Sequence, residues 1–242
     1  YADEFIDLAA VGIIADVCNV GPESLENRTI CHLGFDQVVN PGLVALLGKS
    51  TMTSTDIEFT VAPLINAANR MRSNKVALDL FLAETSVDAK KFVKHLKKLR
   101  EDQKALIPAI EEMLIDQVEA QKEAPCYYFM MTEGPRELTG LLATRLCAKY
   151  CRPVMVLHES DTQYAGSMRA KGLEDFGKII NESGLGEALG HENSAGIVIP
   201  KENFESFKSY IQTVLSTITF KESVKADITI NRAQITPYLL TK

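Results

Sequence analysis

Tyr127-Tyr128-Phe129-Met130-Met131, then Leu138-Thr139-Gly140-Leu141-Leu142-Ala143-Thr144-Arg145-Leu146-Cys147-Ala148-Lys149-Tyr150, then Val154-Met155-Val156-Leu157 are the three consecutive pieces that decide the fold class. The outer two are short, apolar runs rich in aromatic and β-branched residues, which reads as strands; the middle one has the length of a helix. Strand, helix and strand in succession make an α/β domain. Towards the C-terminus the same alternation continues. Gln163 to Arg169, Ser194 to Ile199 and Ala226 to Ile230 read as further strands, and Leu173 to Ser183 and Glu202 to Ser216 as helices.

Towards the N-terminus the period changes. Thr85, with Asp88 three residues on, resembles a capping box, and Phe92, Leu96, Leu99, Leu106, Ile110 and Met113 follow at helical spacing. This predicts one long helix, with a kink or break near Ile107 where Pro108 removes a backbone donor. Its first half carries Lys90, Lys91, Lys94, Lys97, Lys98, Arg100 and Lys104, and its second Glu111, Glu112, Asp116, Glu119 and Glu123. Solvated helix faces account for both runs, and a track for a phosphate chain is the other reading of the lysines. Pro41-Gly42 starts a short helix through Leu47; Gly21, Pro22, Glu26 and Asn27 mark one loop, and Lys49 to Thr55 a second. Leu8 to Val17 is apolar except for Asp16 and belongs inside a core, as a buried strand or a core helix. It is too short to span a bilayer and lacks the basic flank of a secretion signal. The chain is therefore expected in the cytoplasm, away from membranes.

The 242 residues are 46% hydrophobic and 24% charged, the balance of a globular protein. Five cysteines without a C-x-x-C pair suggest neither a disulfide framework nor a structural zinc site. A net charge of -6 argues against a protein that coats nucleic acid through bulk positive charge, but leaves room for a local positive channel.

Four places stand out for chemistry. Asp16 ends an apolar segment, where a lone carboxylate serves as a ligand for a hard divalent cation, as a helix cap or as a salt-bridge partner. Asn66 and Arg70 lie in Ala62-Pro63-Leu64-Ile65-Asn66-Ala67-Ala68-Asn69-Arg70, where small residues allow close approach and a guanidinium fork matches a phosphate. In Gly166-Ser167-Met168-Arg169, strand alternation puts Ser167 and Arg169 on one face, with Gly166 leaving room for a ligand. Gly190 and His191 sit in a glycine-bounded turn, where the imidazole contacts a phosphate, assists proton transfer or is simply hydrogen-bonded.

In this order the segments resemble the RecJ branch of the DHH phosphoesterase superfamily. Asp7 to Val17 is similar to D-L-x-A-x-G-T-x-A-D-V, and Glu26-Asn27-Arg28 and Asn40-Pro41-Gly42-Leu43 to the family's E-N-R and N-P-G-L segments. Pro63 to Met71 is similar to P-R-x-N-A-x-G-R, with Leu64 in place of Arg and Asn69 in place of Gly. Leu138 to Leu146 and Arg152-Pro153-Val154 resemble the opening of the DHH-associated domain. Gly166 to Arg169 matches G-S-x-R, and Leu189 to Gly196 matches G-G-H-x-x-A-A-G with Leu189 and Ser194 as departures.

The resemblance implies an α/β fold in which the C-terminal remnant of a DHH domain (residues 1–55) is joined by a connecting segment and long helix (56–123) to a DHH-associated domain (124–220), with a further segment beginning at 221–242. It implies 5'-to-3' hydrolysis of single-stranded DNA by an intact enzyme using manganese or magnesium, with Asp16 as a metal ligand. Asn66, Arg70, Ser167, Arg169, Gly190 and His191 would hold substrate, His191 also serving catalysis, and replication or repair proteins are candidate partners. The family's other metal motifs would lie before Tyr1, so this fragment alone is expected to bind no metal and to be inactive. Hydrolysis of short oligonucleotides or small phosphodiesters, and a non-catalytic module gripping nucleic acid or a replication partner, are the alternatives.

Overall fold

The computed structural model describes residues 2–121, 124–220, 230–232 and 235–236. Helices α1 (Ile6–Ala15), α2 (Leu25–Asp36), α3 (Pro41–Leu47), α4 (Ser54–Asp56), α5 (Ala62–Arg70) and α6 (Asn74–Phe81) precede α7 (Ser86–Ile115); α3, α5 and α6 pack on α7, α1 and α2 pack on each other, and a wider-wound turn, Ile57–Val61, joins α4 to α5 and meets α1. Their shared core includes the fully buried Ala10, Leu43, Ile57, Leu80 and Leu96. The helix α3 forms where the sequence predicts it. Pro41 occupies its first turn, Asn40 Oδ1 accepts from the Leu43 amide at 3.1 Å, and Gly48 ends it at φ 72°.

Three expectations are corrected here. Of the two readings of Leu8 to Val17 the helix is the one formed, but it is only partly inside the core: α1 buries Asp7, Ala10 and Val11, with Leu8 and Ile14 packed against the core, and Val17 is 88% exposed. Glu26 and Asn27 lie in α2 rather than a loop, because Cys31 and Gly34 turn one face of that segment inward. Pro108 does not break α7, which runs unbroken for 30 residues, about 45 Å at the α-helical rise. Pro108 and Lys104 are both exposed, so the carbonyl that loses its donor faces water, while Ile107 and Ile110 anchor the flanking turns. Thr85 caps the helix as read, accepting from the Asp88 amide at 3.1 Å.

Beyond α7 come β1 (Tyr127–Met130), α8 (Thr139–Tyr150), β2 (Val154–Glu159), β3 (Gln163–Arg169), α9 (Phe176–Glu182), β4 (Glu187–His191), β5 (Ser194–Pro200) and α10 (Phe204–Ser216). The five strands lie in the order β1-β2-β3-β5-β4, with β1 and β2 parallel and the other pairs antiparallel. One sheet face, with Tyr127, Phe129, Val154 and Val156, packs on α8 and on Ile107, Ile110 and Leu114 of α7. The opposite face, with Met155, Leu157, Met168 and Ile197, packs on α9 and α10. This mixed α/β architecture is the one the sequence predicts. Of the glycine-bounded turn expected from Gly190 onward, the turn itself is Glu192-Asn193, leading into β5, while Gly190 and His191 end β4, an edge strand of which only Ala188 is buried. The strand expected over Ala226 to Ile230 lies, except for Ile230, outside the described residues. Among the described residues no single helix is long and apolar enough to cross a membrane.

Candidate phosphate-binding site

The site grows from the alternation of β3. Met168 points into the α9/α10 core, so Ser167 and Arg169 point to the other face, where α8 lies across β2 and β3. The first turn of α8 meets them. Thr139 Oγ1 and Ser167 Oγ share a hydrogen bond of 3.0 Å. A Cβ added to Gly140 would stand 3.2 Å from Arg169 Nη2 and 3.4 Å from Ser167 Oγ, so the missing side chain is what lets the helix end come this close.

The Arg169 guanidinium is held from two sides. Its Nε donates to Thr144 Oγ1 at 3.1 Å and its Nη1 to the Met168 carbonyl at 2.7 Å. Thr144 in turn donates to the Gly140 carbonyl at 2.9 Å. Nη2 makes no hydrogen bond among the described residues and faces the first turn of α8.

Arg70, in the last turn of α5, comes close enough to act on Arg169 electrostatically. Burial pushes the Arg169 guanidinium below its ordinary value; Cys147 opposes that, and the like charge of Arg70 adds to it. Burial pushes Arg70 down too. Neither has a carboxylate partner among the described residues, although their neighbours do: Arg72 pairs with Glu137 at 2.8 Å and Arg145 with Glu111 at 2.7 Å. Two half-buried guanidiniums near enough to act on one another, without a carboxylate partner among the described residues, are costly unless an anion offsets them. Asn66 is exposed one turn before Arg70, on the same side of α5.

His191 belongs to the same sheet face. Arg169 pairs with Ser194, and Ser194 with His191, so the three form one row across β3, β5 and β4. His191 is exposed, two strand spacings, or roughly 10 Å, from Arg169. Gly190 points to the opposite face, with φ 140° and room for a Cβ only 3.0 Å from Ala195 Cα. Gly166 also differs from the reading above: the space of its absent side chain is filled by the Val156 carbonyl of β2, so it serves strand packing and opens no ligand face.

Asp16 stands apart, exposed at the C-terminal cap of α1, its amide bonded to the Gly12 carbonyl at 3.0 Å. A carboxylate there meets the negative end of the helix and gains nothing as a cap. No three His, Cys, Asp or Glu side chains gather into a metal site among the described residues. Sequence reasoning missed Thr139, Gly140 and Thr144 as parts of the site. The spacing of Gly140 and Thr144 puts them on one side of a helix, but nothing in it tells that this side meets β3.

A helical lobe and an α/β lobe strung on one long helix, with two arginines that lack carboxylate partners among the described residues near where the lobes meet, define the class: a two-lobed mixed α/β chain. No protein-family model matches it. The single-stranded-DNA-specific exonuclease RecJ of Bacillus subtilis (strain 168) is 24% identical over 233 residues, covering 91% of this chain and 29% of that protein. RecJ of Thermus thermophilus is 29% identical over 216 residues, covering 86% of this chain and 31% of that one. The crystal structure of RecJ from Thermus thermophilus in complex with Mn2+ superposes with a TM-score of 0.77 at 26% identity, over 91% of this chain and 34% of that one. The chain is RecJ-like in sequence and in fold, and spans about a third of the length of the relatives it matches.

Proposed function

We propose that this chain is the strand-gripping part of a metal-dependent, single-strand-specific DNA exonuclease working 5' to 3'. The observation that carries the reading is the pair Arg70 and Arg169, half-buried and without carboxylate partners, beside Ser167 and the first turn of α8. Two guanidiniums from different lobes and a hydroxyl together fit a backbone or terminal phosphate. Asn66 adds a polar group on the same helix face, and Gly190 and His191 end the strand beyond it. There the imidazole reaches the next phosphate or moves a proton near it. In this reading residues 1–55 are the end of a DHH domain, 56–123 the connector and 124–220 the associated domain.

Solved RecJ structures carry Mn2+ or Mg2+. The described residues of this chain do not by themselves fit such a group, so their proposed roles are binding, orientation and, at His191, a proton transfer beside the phosphate. Asp16 is proposed as one ligand of a centre completed elsewhere in a longer protein. There Asp16→Asn should lower metal-dependent turnover while leaving the melting temperature unchanged.

The test of the grip is the affinity of this chain for a 5'-phosphorylated single strand, measured by fluorescence anisotropy across a salt series. Arg169→Ala should weaken binding about tenfold and reduce the salt slope by about one. Unchanged affinity and slope would remove the site.

A further inference from the structure

We propose that Leu189, beside the open backbone of Gly196, is a platform for the base attached to the phosphate at Arg169. The site then takes an unpaired nucleotide rather than a bare phosphate. The proposal rests on the phosphate-site reading above.

The register places the pieces. Ser167 pairs with Gly196, and Gly196 with Leu189; the next row is Arg169, Ser194 and His191. Residues directly opposite in an antiparallel ladder project from the same face, so Leu189 shares the face of Ser167 and Arg169. The helix α8 covers that face over β2 and β3, and beyond it Gly196, Leu189 and His191 are exposed. Leu189 is 66% exposed and, among the described residues, is the one strongly exposed large apolar side chain of the sheet.

A single exposed leucine needs no explanation on its own. Its position supplies one. Between Ser167 and Leu189 lies Gly196, where an added Cβ would have its nearest neighbour at 3.7 Å, so the floor there is low for lack of a side chain and not because atoms fill it. A phosphate seated against Ser167 and Arg169 would lay its nucleoside over that floor, with one base face on Leu189. Base faces are apolar and every base has one, so such a contact is indifferent to sequence. Glu187, two residues back on β4, is exposed on the same face, and its carboxylate opposes a second phosphate at that end. The backbone must therefore leave past His191. A base in a duplex, stacked and paired, could not lie down in this way, so the platform favours single strands.

The experiment measures binding of this chain to two 5'-phosphorylated probes of equal length, oligothymidylate and a wholly abasic strand. Leu189→Ser should weaken oligothymidylate binding about fivefold or more, the order of one base contact, and leave the abasic probe unaffected. Leu189→Phe should hold oligothymidylate at least as tightly as the unaltered chain. Leu189 is exposed, so neither change disturbs the core; unchanged near-ultraviolet circular dichroism checks this. If Leu189→Ser leaves oligothymidylate binding unchanged, or weakens both probes equally, the platform is wrong. Arg169→Ala reports separately on the phosphate reading. Loss of both probes upholds that reading whatever Leu189 does, and loss of neither overturns it and the platform together.

Discussion

Two aspartates bracket α1, and their surroundings rank them oppositely to the sequence. Asp16 drew attention at the end of an apolar run, yet it is exposed, while Asp7 is fully buried. Asp7 is satisfied there: Oδ1 accepts from the Leu8 amide at 2.8 Å, and Oδ2 from the Val39 and Asn40 amides at 2.9 and 2.8 Å. Asn40 passes the connection on, donating to the Phe81 carbonyl at 2.8 Å. Removing the carboxylate strands buried donors, so Asp7→Ala should cost about 3 kcal/mol in a urea titration, and Asp16→Ala less than about 0.5 kcal/mol. The reverse order would refute the assignment of Asp7 as the tie between α1 and α3. His158 gives a pH dependence. Its Nε2 is buried without a partner among the described residues, and burial lowers its proton affinity, with Arg72 adding to this, Glu137 opposing and Arg136 adding. The unfolded chain therefore binds a proton more readily, so the contribution of His158 is intact above about pH 6.5 and is lost as pH falls from there towards the folded value. The denaturation midpoint should drop between pH 7.5 and 5.5, and His158→Gln should reduce that drop; an identical drop in both proteins would exclude His158 as its source.

At the scale of elements, the strand β1 shows how an exposed edge is handled. Gln117 gives its Nε2 to the Met130 carbonyl at 2.9 Å and takes the Met130 amide on Oε1 at 2.8 Å. Gln121 does the same to Tyr128, at 2.7 and 2.8 Å. Each side-chain amide stands where the peptide group of a sixth strand would, so the edge is closed to other chains. The double variant Gln117→Ala, Gln121→Ala should lose about 1–2 kcal/mol and self-associate as concentration rises in light scattering; equal scattering by both proteins would show that the edge needs no such cover. This device was not legible in sequence, since two glutamines after a helix look like solvated surface. What was legible follows the strength of the local signal. The strands β1, β2, β3 and β5 are short apolar or alternating runs, and α3 and α8 have distinct caps or length. The edge strand β4 buries little and carries two exposed glycine-flanked positions, so its period is blurred. In α2 only Cys31 and Gly34 are buried, too few for a clear helical stripe, and in α6 the exposed Leu78 blurs the stripe of Val76, Ala77, Leu80 and Phe81. Arg70, Ser167 and Arg169 could be singled out as candidate phosphate ligands from their type and strand spacing, but Thr139 and Thr144, which bond to Ser167 and Arg169, come from a helix packed across the sheet, which no local pattern records.

At the scale of the molecule, α7 belongs to two cores. Ala89, Val93, Leu96 and Leu99 are buried in the helical lobe, and Ile107, Ile110 and Leu114 against the sheet. The lobes also meet where Arg72 pairs with Glu137 at 2.8 Å, linking the turn after α5 to the approach to α8. Arg70 comes from the helical lobe and Arg169 from the sheet, near enough for the charge of Arg70 to act on Arg169, so on the proposed function an anion bound by both would tie the lobes together. Without an anion, the junction holds two like charges half out of water. This gives a crossing prediction for Arg70→Met, which keeps most of the apolar stem and removes the charge. In chloride at fixed ionic strength the variant should melt at or slightly above the unaltered chain, because repulsion with Arg169 is relieved. When phosphate replaces part of the chloride, at about one hundred times its dissociation constant, the unaltered chain should gain about 2.7 kcal/mol, or roughly 5–10 °C in melting temperature. Arg70→Met should gain little, so the order of the two proteins reverses. A variant less stable in chloride, with the same response to phosphate, would mean that Arg70 serves packing at the junction and that the anion, if it binds, is held by the sheet lobe alone.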